Sequence, residues 1–373
     1  MNAVYRLDRI VLREVALPLK EPFVSGVSRV DVRRLLVVEA WCGGVCGYGE
    51  SSPLSDPYYT EETTETAWHV LESFLIPAVL GRPWRSPADV AARLAPVRRH
   101  FMAKAGLEGA VWDLYARLQG LPLSRALGGT RDRIPSGIAV GITGDLAALG
   151  ERVKQALDAG YARVKIKIKP GWDVEPVRYL RERFGDFPLM ADANSTYTLQ
   201  DAHRLKELDA YGLIMIEQPL AWDDLVEHAR LQQLLETPIC LDESIPSLAA
   251  ARAALDLGSC RVINVKPGRV GGLLEAMAIH DLCRERGVPA WCGGMLESGI
   301  GRAHLVALAS LPGFTLPGDI SPSGRYWERD IVEPPFTLLP GGEIAVPSGP
   351  GIGVAVDREA LERCTVRARA FAP

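Results

Sequence analysis

Lysine is scarce in this chain. Of the 42 basic residues only 8 are lysine (Lys20, Lys104, Lys154, Lys165, Lys167, Lys169, Lys206 and Lys266), so arginine is the ordinary surface cation. Long apolar runs are missing too. None approaches the roughly 18 residues of a membrane-crossing helix, which excludes such a span. The opening stretch Met1–Lys20 is broken by charges and lacks the apolar core of a secretory leader, so a cytoplasmic location is expected. Neither sign of charge dominates. A net charge of −4 supplies no basic footprint, and no nucleic-acid partner is expected. Cysteine is limited to 7 residues, an odd number scattered through apolar segments, which reads as buried free thiols in a reducing compartment. Cys42 and Cys46 have neither the second pair nor the nearby histidine that a zinc site needs.

The lysine shortage gives the remaining lysines meaning. Arginine stays protonated and cannot act as a base, whereas a desolvated lysine can. Lys165, Lys167, Lys169 and Lys266 are therefore candidates for amine chemistry.

At 373 residues, 47% hydrophobic and 24% charged, the chain has the profile of a soluble globular protein of two domains, or of one barrel with an addition. Residues 1–130 read as an α+β unit. It has strands at Arg9–Pro18 and Arg34–Trp41, and helices at Thr60–Val79, after Ser86-Pro87, and at Leu107–Leu118. From residue 131 to 322, β-type runs alternate with helical stretches. Strands are expected at Ile134–Gly141, Arg163–Ile168, Pro188–Ala191, Leu213–Ile216, Pro238–Leu241, Arg261–Val265, Pro289–Cys292 and Phe314–Pro317, with helices after the first seven. That order predicts an α/β fold with a nearly complete β/α barrel. An open doubly wound sheet is the alternative, but no G-x-G-x-x-G follows an early strand. Residues 323–373 are rich in Pro and Gly, end in a helical piece at Arg358–Ala370, and are expected to pack back on the first domain.

Barrel enzymes place their chemistry where strands end. Asp192, Glu217 and Asp242 end successive expected strands at intervals of 25 residues, and Lys266 follows 24 later. One β/α unit is about this long, so the carboxylates should sit at one height on adjacent strands. Crowded carboxylates repel unless a cation lies among them. All-oxygen ligation favours a hard ion such as Mg²⁺ over zinc. Each acid alone could simply cap the next helix; three in phase favour the metal reading. On the lysine strand, alternation turns Val164, Ile166 and Ile168 towards the helices and Lys165, Lys167 and Lys169 towards the barrel interior or its mouth. Lys167 and Lys266 then face each other across the carboxylates. A substrate carboxylate on the metal would put its α-carbon between two amines, the arrangement for abstracting an α-proton and stabilising the enediolate.

These segments resemble the muconate-lactonizing-enzyme subgroup of the enolase superfamily, and most closely its o-succinylbenzoate synthase / N-acylamino acid (N-succinylamino acid) racemase family. The resemblance runs almost end to end. It is carried by VKIKIKPGWD at Val164–Asp173, DAN at Asp192–Asn194, IEQP at Ile216–Pro219, CLDES at Cys240–Ser244, NVKPGRVGG at Asn264–Gly272 and WCGGMLESG at Trp291–Gly299. It implies an enolase-like, modified (β/α)7β TIM barrel with an α+β capping domain. It also implies Mg²⁺, or Mn²⁺ or another divalent cation in its place, on Asp192, Glu217 and Asp242. Lys167 and Lys266 would be the acid/base pair, Lys165 would assist with the carboxylate, and Asn194 would support the metal. Ser136, Met295, Phe23 and Tyr59 would line the substrate pocket under the Lys20–Ser28 and Pro53–Tyr59 loops. Arg269 matches an arginine that this family associates with racemase competence. The implied reactions on a small-molecule carboxylate are dehydration to o-succinylbenzoate, in menaquinone biosynthesis, and racemisation of N-acylamino acids. Closed homo-oligomers are expected.

Neighbouring activities fit less well. A mandelate-racemase-type histidine base is missing, because none of His69, His100, His203, His228, His280 and His304 falls at a suitable strand end. Dipeptide epimerases carry D-x-D near the eighth strand, where this chain reads Gly318-Asp319-Ile320-Ser321. Muconate cycloisomerase shares the lysines and acids and is the enzymatic runner-up. A non-catalytic binding barrel would require the lysines to be merely structural.

Overall fold

The computed structural model of the chain describes residues 3–24 and 29–373. It begins with an antiparallel meander, β1 (Arg9–Val24), β2 (Arg29–Cys42) and β3 (Val45–Ser51). Alternation gives this sheet two apolar faces. Ile10, Leu12, Leu36 and Val38 pack with the domain's helices, whereas Val15, Leu17, Leu35 and Val37 join the larger core shared with the barrel.

Helix α1 (Thr64–Val70) starts later than expected because Thr63 caps it in a reciprocal box with Thr66. It continues through a wider turn at Leu71–Leu75 into Ile76–Val79. Helix α2 (Pro87–Leu94) opens at the expected Ser86 cap. Helix α3 (Phe101–Leu118) starts well before the expected Leu107. Its first turn is capped from a distance: Met102 and Ala103 donate their backbone N–H groups to Glu62 at 2.8 and 3.0 Å. α3 lies against β3, where Gly47 and Gly49 leave room for its backbone.

The barrel follows as β4 (Gly137–Val140), α4 (Leu146–Asp158), β5 (Arg163–Lys167), α5 (Val174–Phe184), β6 (Leu189–Asp192), α6 (Ala202–Glu207), β7 (Ile216–Glu217), α7 (Val226–Leu234), β8 (Ile239–Leu241), α8 (Leu248–Leu257), β9 (Val262–Val265), α9 (Leu273–Arg286), β10 (Ala290–Cys292) and α10 (Gly299–Ala309). The 7 strands pair in chain order, each parallel to the next. Two expectations need correction. The first strand is interrupted: Arg133–Pro135 pairs antiparallel with Glu343–Ala345, and only Gly137–Val140 enters the barrel sheet. The eighth strand, expected at Phe314–Pro317, is reduced to single bridges, Ala290 to Phe314 and Ser136 to Gly318, which close the curled sheet. Pro317 has no N–H to donate and cannot extend a ladder there.

Val164, Ile166 and Ile168 face the surrounding helices as expected. Inside the barrel, Met190, Met215, Cys240, Val262 and Trp291 form an apolar plug beneath the strand ends. The expected helix at Arg358–Ala370 is a helix only in part. α11 (Arg358–Cys364) gives way to β11 (Thr365–Phe371), which adds to the meander beside β1. Arg367 there reaches Glu14 and Glu65, at 2.6 and 2.8 Å. The segment before it does not serve the first domain alone, because Ile331, Val332, Phe336 and Ile344 lie in the core with barrel residues. All 7 cysteines are free thiols. Among the described residues, no helix is long and apolar enough to cross a membrane.

Candidate active site

The parallel register brings the polar strand ends to one level. Lys167 is the Cα partner of Asp192, and Asp192 is the partner of Glu217. Asp242 directly follows β8 and Lys266 directly follows β9. All five side chains are buried. Lys167 donates to Asp192 Oδ2 and Asn194 Oδ1, both at 2.6 Å. Lys266, opposite, donates to Asp242 Oδ2 at 2.6 Å and to the Tyr59 hydroxyl at 2.7 Å. Its ammonium also stands 4.9 Å from the Tyr59 ring centroid. Lys165 lies deeper, within 2.8 Å of Glu217, 3.1 Å of Asp192 and 2.5 Å of Asp319.

Backbone geometry fixes the acids. Asn194 (φ 43°) and Gln218 (φ 39°) occupy the left-handed region just beyond the strand ends, turning the chain sharply. Gln218 Oε1 accepts the backbone N–H groups of Asp242 and Ser244 at 3.0 and 3.2 Å, tying strand end to strand end. Asn264 donates to Glu217 Oε1 at 2.7 Å. Arg269 braces Asp242 through Nη1, and its other nitrogens reach the carbonyls of Asn264 (2.6 Å) and Ile245 (3.1 Å).

The charges are strongly interdependent. Burial opposes ionisation of Asp192, but Lys167 and Lys165 outweigh it and hold the carboxyl well below its ordinary range. Burial likewise opposes the Lys266 ammonium, and Asp242 with Tyr59 more than compensates, keeping that amine protonated. Glu217 differs: burial, then Asp192, pushes its carboxyl up to about 8. Glu243 is pushed up to about 7 by burial and then Asp242, and its Oε2 is buried without a partner. At these two carboxyls burial and the neighbouring acids outweigh the nearby lysines. Among the described residues, no three acidic, histidine or cysteine side chains converge as ion ligands. The reason is visible: Lys165 stands between Asp192 and Glu217, while Lys266 and Arg269 take Asp242. As a donor set, Asp192, Glu217 and Asp242 still suit a hard cation, being buried, all-oxygen and carried on adjacent strands. A dication would replace the ammonium groups as counter-charge.

Above these residues lies a pocket of about 90 Å³ whose wall includes Lys165, Lys167, Asp192, Asn194 and Lys266. The first domain contributes Phe23, Val30 and Tyr59, and Met295 also lines it. Three of the residues singled out from the sequence lie outside this pocket wall. Ser136 is fully buried away from the pocket and donates to the Ile320 carbonyl at 2.6 Å, a closure role forced by the broken eighth strand. Arg269 is not in the pocket wall and acts on Asp242 from behind. Lys169 is exposed in the turn to Trp172 and lies outside the site. Of the Lys20–Ser28 loop, residues 25–28 lie outside the described residues.

Asp319 and Arg163 were not anticipated. Asp319 lines the pocket and joins Lys165 to Arg163, whose guanidinium is stacked 4.6 Å from the Trp291 ring. Burial resists ionisation of Asp319, yet Lys165 and Arg163 push it down to about 2. Period-two alternation carried the signal for Arg163, since it shares the inward side of β5 with Lys165 and Lys167.

Comparison with known proteins agrees with this geometry. The family described as Enolase C-terminal domain-like matches residues 148–360, and the mandelate racemase / muconate lactonizing enzyme N-terminal domain matches residues 8–128. An o-succinylbenzoate synthase of Geobacillus kaustophilus is 55% identical, over 98% of this chain and 97% of its own. An N-succinylamino acid racemase of Amycolatopsis sp is 48% identical, over 96% and 98%. The crystal structure of an enolase-superfamily member from Listeria innocua superposes with a TM-score of 0.96 at 40% identity, covering 99% of each chain.

Proposed function

The chain belongs to the mandelate racemase / muconate lactonizing enzyme branch of the enolase superfamily, and from that premise we propose that it is an o-succinylbenzoate synthase whose site also suits N-succinylamino acid racemisation. The carrying observation is the placement of Lys167 and Lys266 on strand ends facing each other across buried carboxylates. Muconate cycloisomerases are distant relatives and do not share this level of likeness. Free dipeptides are disfavoured, because Asp319 already answers to two cations.

Superfamily members use Mg²⁺, and in this reading Asp192, Glu217 and Asp242 hold it. When bound, the ion stabilises the negative charge that develops on the substrate carboxylate. The chain's own residues do the rest. Lys165, kept charged by Asp319, Glu217 and Asp192 against the effect of burial, is a fixed cation beside the carboxylate. Lys167 removes the α-proton from one face. In dehydration the β C–O bond then breaks and the hydroxyl leaves as water with the proton that Lys167 took, while Lys266 stays protonated and supports the anion electrostatically. In racemisation Lys266 returns a proton to the other face. Tyr59 and Arg269 hold Lys266 and Asp242 in place. Phe23, Val30 and Tyr59 exclude water.

The test incubates the protein with Mg²⁺ and, separately, the cyclohexadiene precursor, an N-succinylamino acid and a muconate. Loss of the diene absorbance and α-proton exchange in D₂O are followed. Turnover of the precursor is expected, with exchange of the N-succinylamino acid. Turnover of the muconate alone would move the assignment to cycloisomerase.

A further inference from the structure

Both proposed substrates carry a second carboxylate at the far end of a succinyl arm, and among the described residues each cation of the central pocket already has a partner. Its lysines are committed to Asp192, Glu217, Asp242 and Asp319. Arg302, also in the wall, gives Nη1 and Nη2 to the carbonyls of Ser321 and Glu297, and its Nε is buried without a partner. The wall near Phe23, Val30, Ile320 and Tyr326 is apolar or aromatic, which suits methylene groups.

Phe23 and Tyr326 are shared with a second cavity of about 300 Å³, whose charged lining residues are Arg29, Arg152, Arg325 and Glu21. Glu21 pairs with Arg152 at 3.2 Å, and Arg29 pairs with Asp31 at 2.8 Å. Among the described residues Arg325 has no acidic partner. It is half-buried and lies 5.9 Å over the Tyr326 ring, and its Nε is buried with no hydrogen-bond partner. Ile142, Thr143 and Gly144, from the loop after β4, form the opposite wall. β1 holds the Arg325 segment in register, since the Lys20 backbone N–H donates to Tyr326 O at 2.9 Å and Lys20 Nζ donates to Gly324 O at 3.2 Å.

We infer that this cavity is the subsite for the distal carboxylate of the succinyl arm, with Arg325 as the receiving group. The arm runs between Phe23 and Tyr326, and Arg29 and Arg152 add positive field that Asp31 and Glu21 only partly offset. Arg325 is thus a specificity residue for dianionic over monoanionic acyl groups. This assignment rests on the proposed synthase and racemase reading.

Calorimetric binding to the Mg²⁺-loaded protein separates the two claims, using an N-succinylamino acid and its isosteric N-succinamoyl amide. Wild type should bind the acid about fivefold more tightly than the amide, and Arg325→Gln should remove that preference while leaving amide affinity and thermal unfolding unchanged. Where turnover is measured, the loss should fall on KM and leave kcat unchanged. Equal binding of acid and amide by wild type, or an unaltered preference in Arg325→Gln, overturns the subsite. A preference that depends on Arg325, without turnover of any substrate, would uphold the subsite and remove the enzymatic reading.

Discussion

The two lysines that face each other differ in their company. Lys167 is held by a carboxylate and an amide, Lys266 by a carboxylate and a phenol. Lys167→Ala should abolish both dehydration and α-proton exchange, a loss of at least about 10²-fold, while Mg²⁺ still binds. Normal turnover in that variant would refute the assignment. Lys266→Arg retains charge but cannot deliver a proton. It should end racemisation more completely than dehydration, and equal losses would argue against two distinct lysine roles. Asp319 carries a different burden, compensating two buried cations. Asp319→Ala should destabilise the protein by about 3 kcal/mol, because an uncompensated buried charge costs more than a lost contact. Chemical denaturation reads this, and an unchanged midpoint would show the cations relaxing elsewhere. The lysines were legible as rare residues at strand ends. Asp319 was not, since its meaning depends on Arg163 and Lys165 reaching it from two strands away.

Among the elements, β3 and α3 show how close packing can be invisible in a pattern. A Cβ on Gly49 would stand 2.1 Å from the Gly106 carbonyl and 2.3 Å from the Ala110 nitrogen. Backbone cannot yield as a side chain can, so Gly49→Ala should cost about 3 kcal/mol by thermal unfolding, whereas Gly144→Ala, with nothing within 4 Å and no left-handed φ, should cost much less. Equal losses would point to backbone conformation alone. The same helix begins early because Glu62 caps it from another segment, a signal that local periodicity does not carry. The eighth strand failed for the opposite reason: its apolar run was plain, but Pro317 denies it a ladder. The C-terminal strand was mistaken for helix because short Arg-Ala alternation suits both, and pairing with β1 decides between them.

Across the whole molecule, Glu50 joins the two domains. From β3 of the first domain it accepts hydrogen bonds from the Ser298 backbone (3.1 Å) and hydroxyl, and it receives Gly301 N–H at 3.4 Å at the start of α10. Burial raises its carboxyl from 4.5 to about 7. Between those values the folded state binds more protons than the unfolded state, so this group's contribution to stability falls as pH rises from 4.5 to about 7. The slope is at most about 1.4 kcal/mol per pH unit. Glu50→Gln should flatten the stability profile in that window; an unchanged slope would place the titration elsewhere.

The order of strands and helices, the barrel class and the height of Asp192, Glu217, Asp242 and Lys266 follow from the linear chain, because a repeated β/α unit converts sequence spacing directly into position around the barrel. Side-chain alternation adds that Lys165 and Lys167 point inward. Contacts between distant segments obey no such rule. The cations on the carboxylates, the withdrawal of Ser136, the linking role of Asp319, the bracing by Arg269 and the placement of Arg325 in the neighbouring cavity each depend on two or more segments meeting in space. Those meetings are set by packing and electrostatic compensation in the folded interior, where a buried charge must find its partner wherever the chain has brought one.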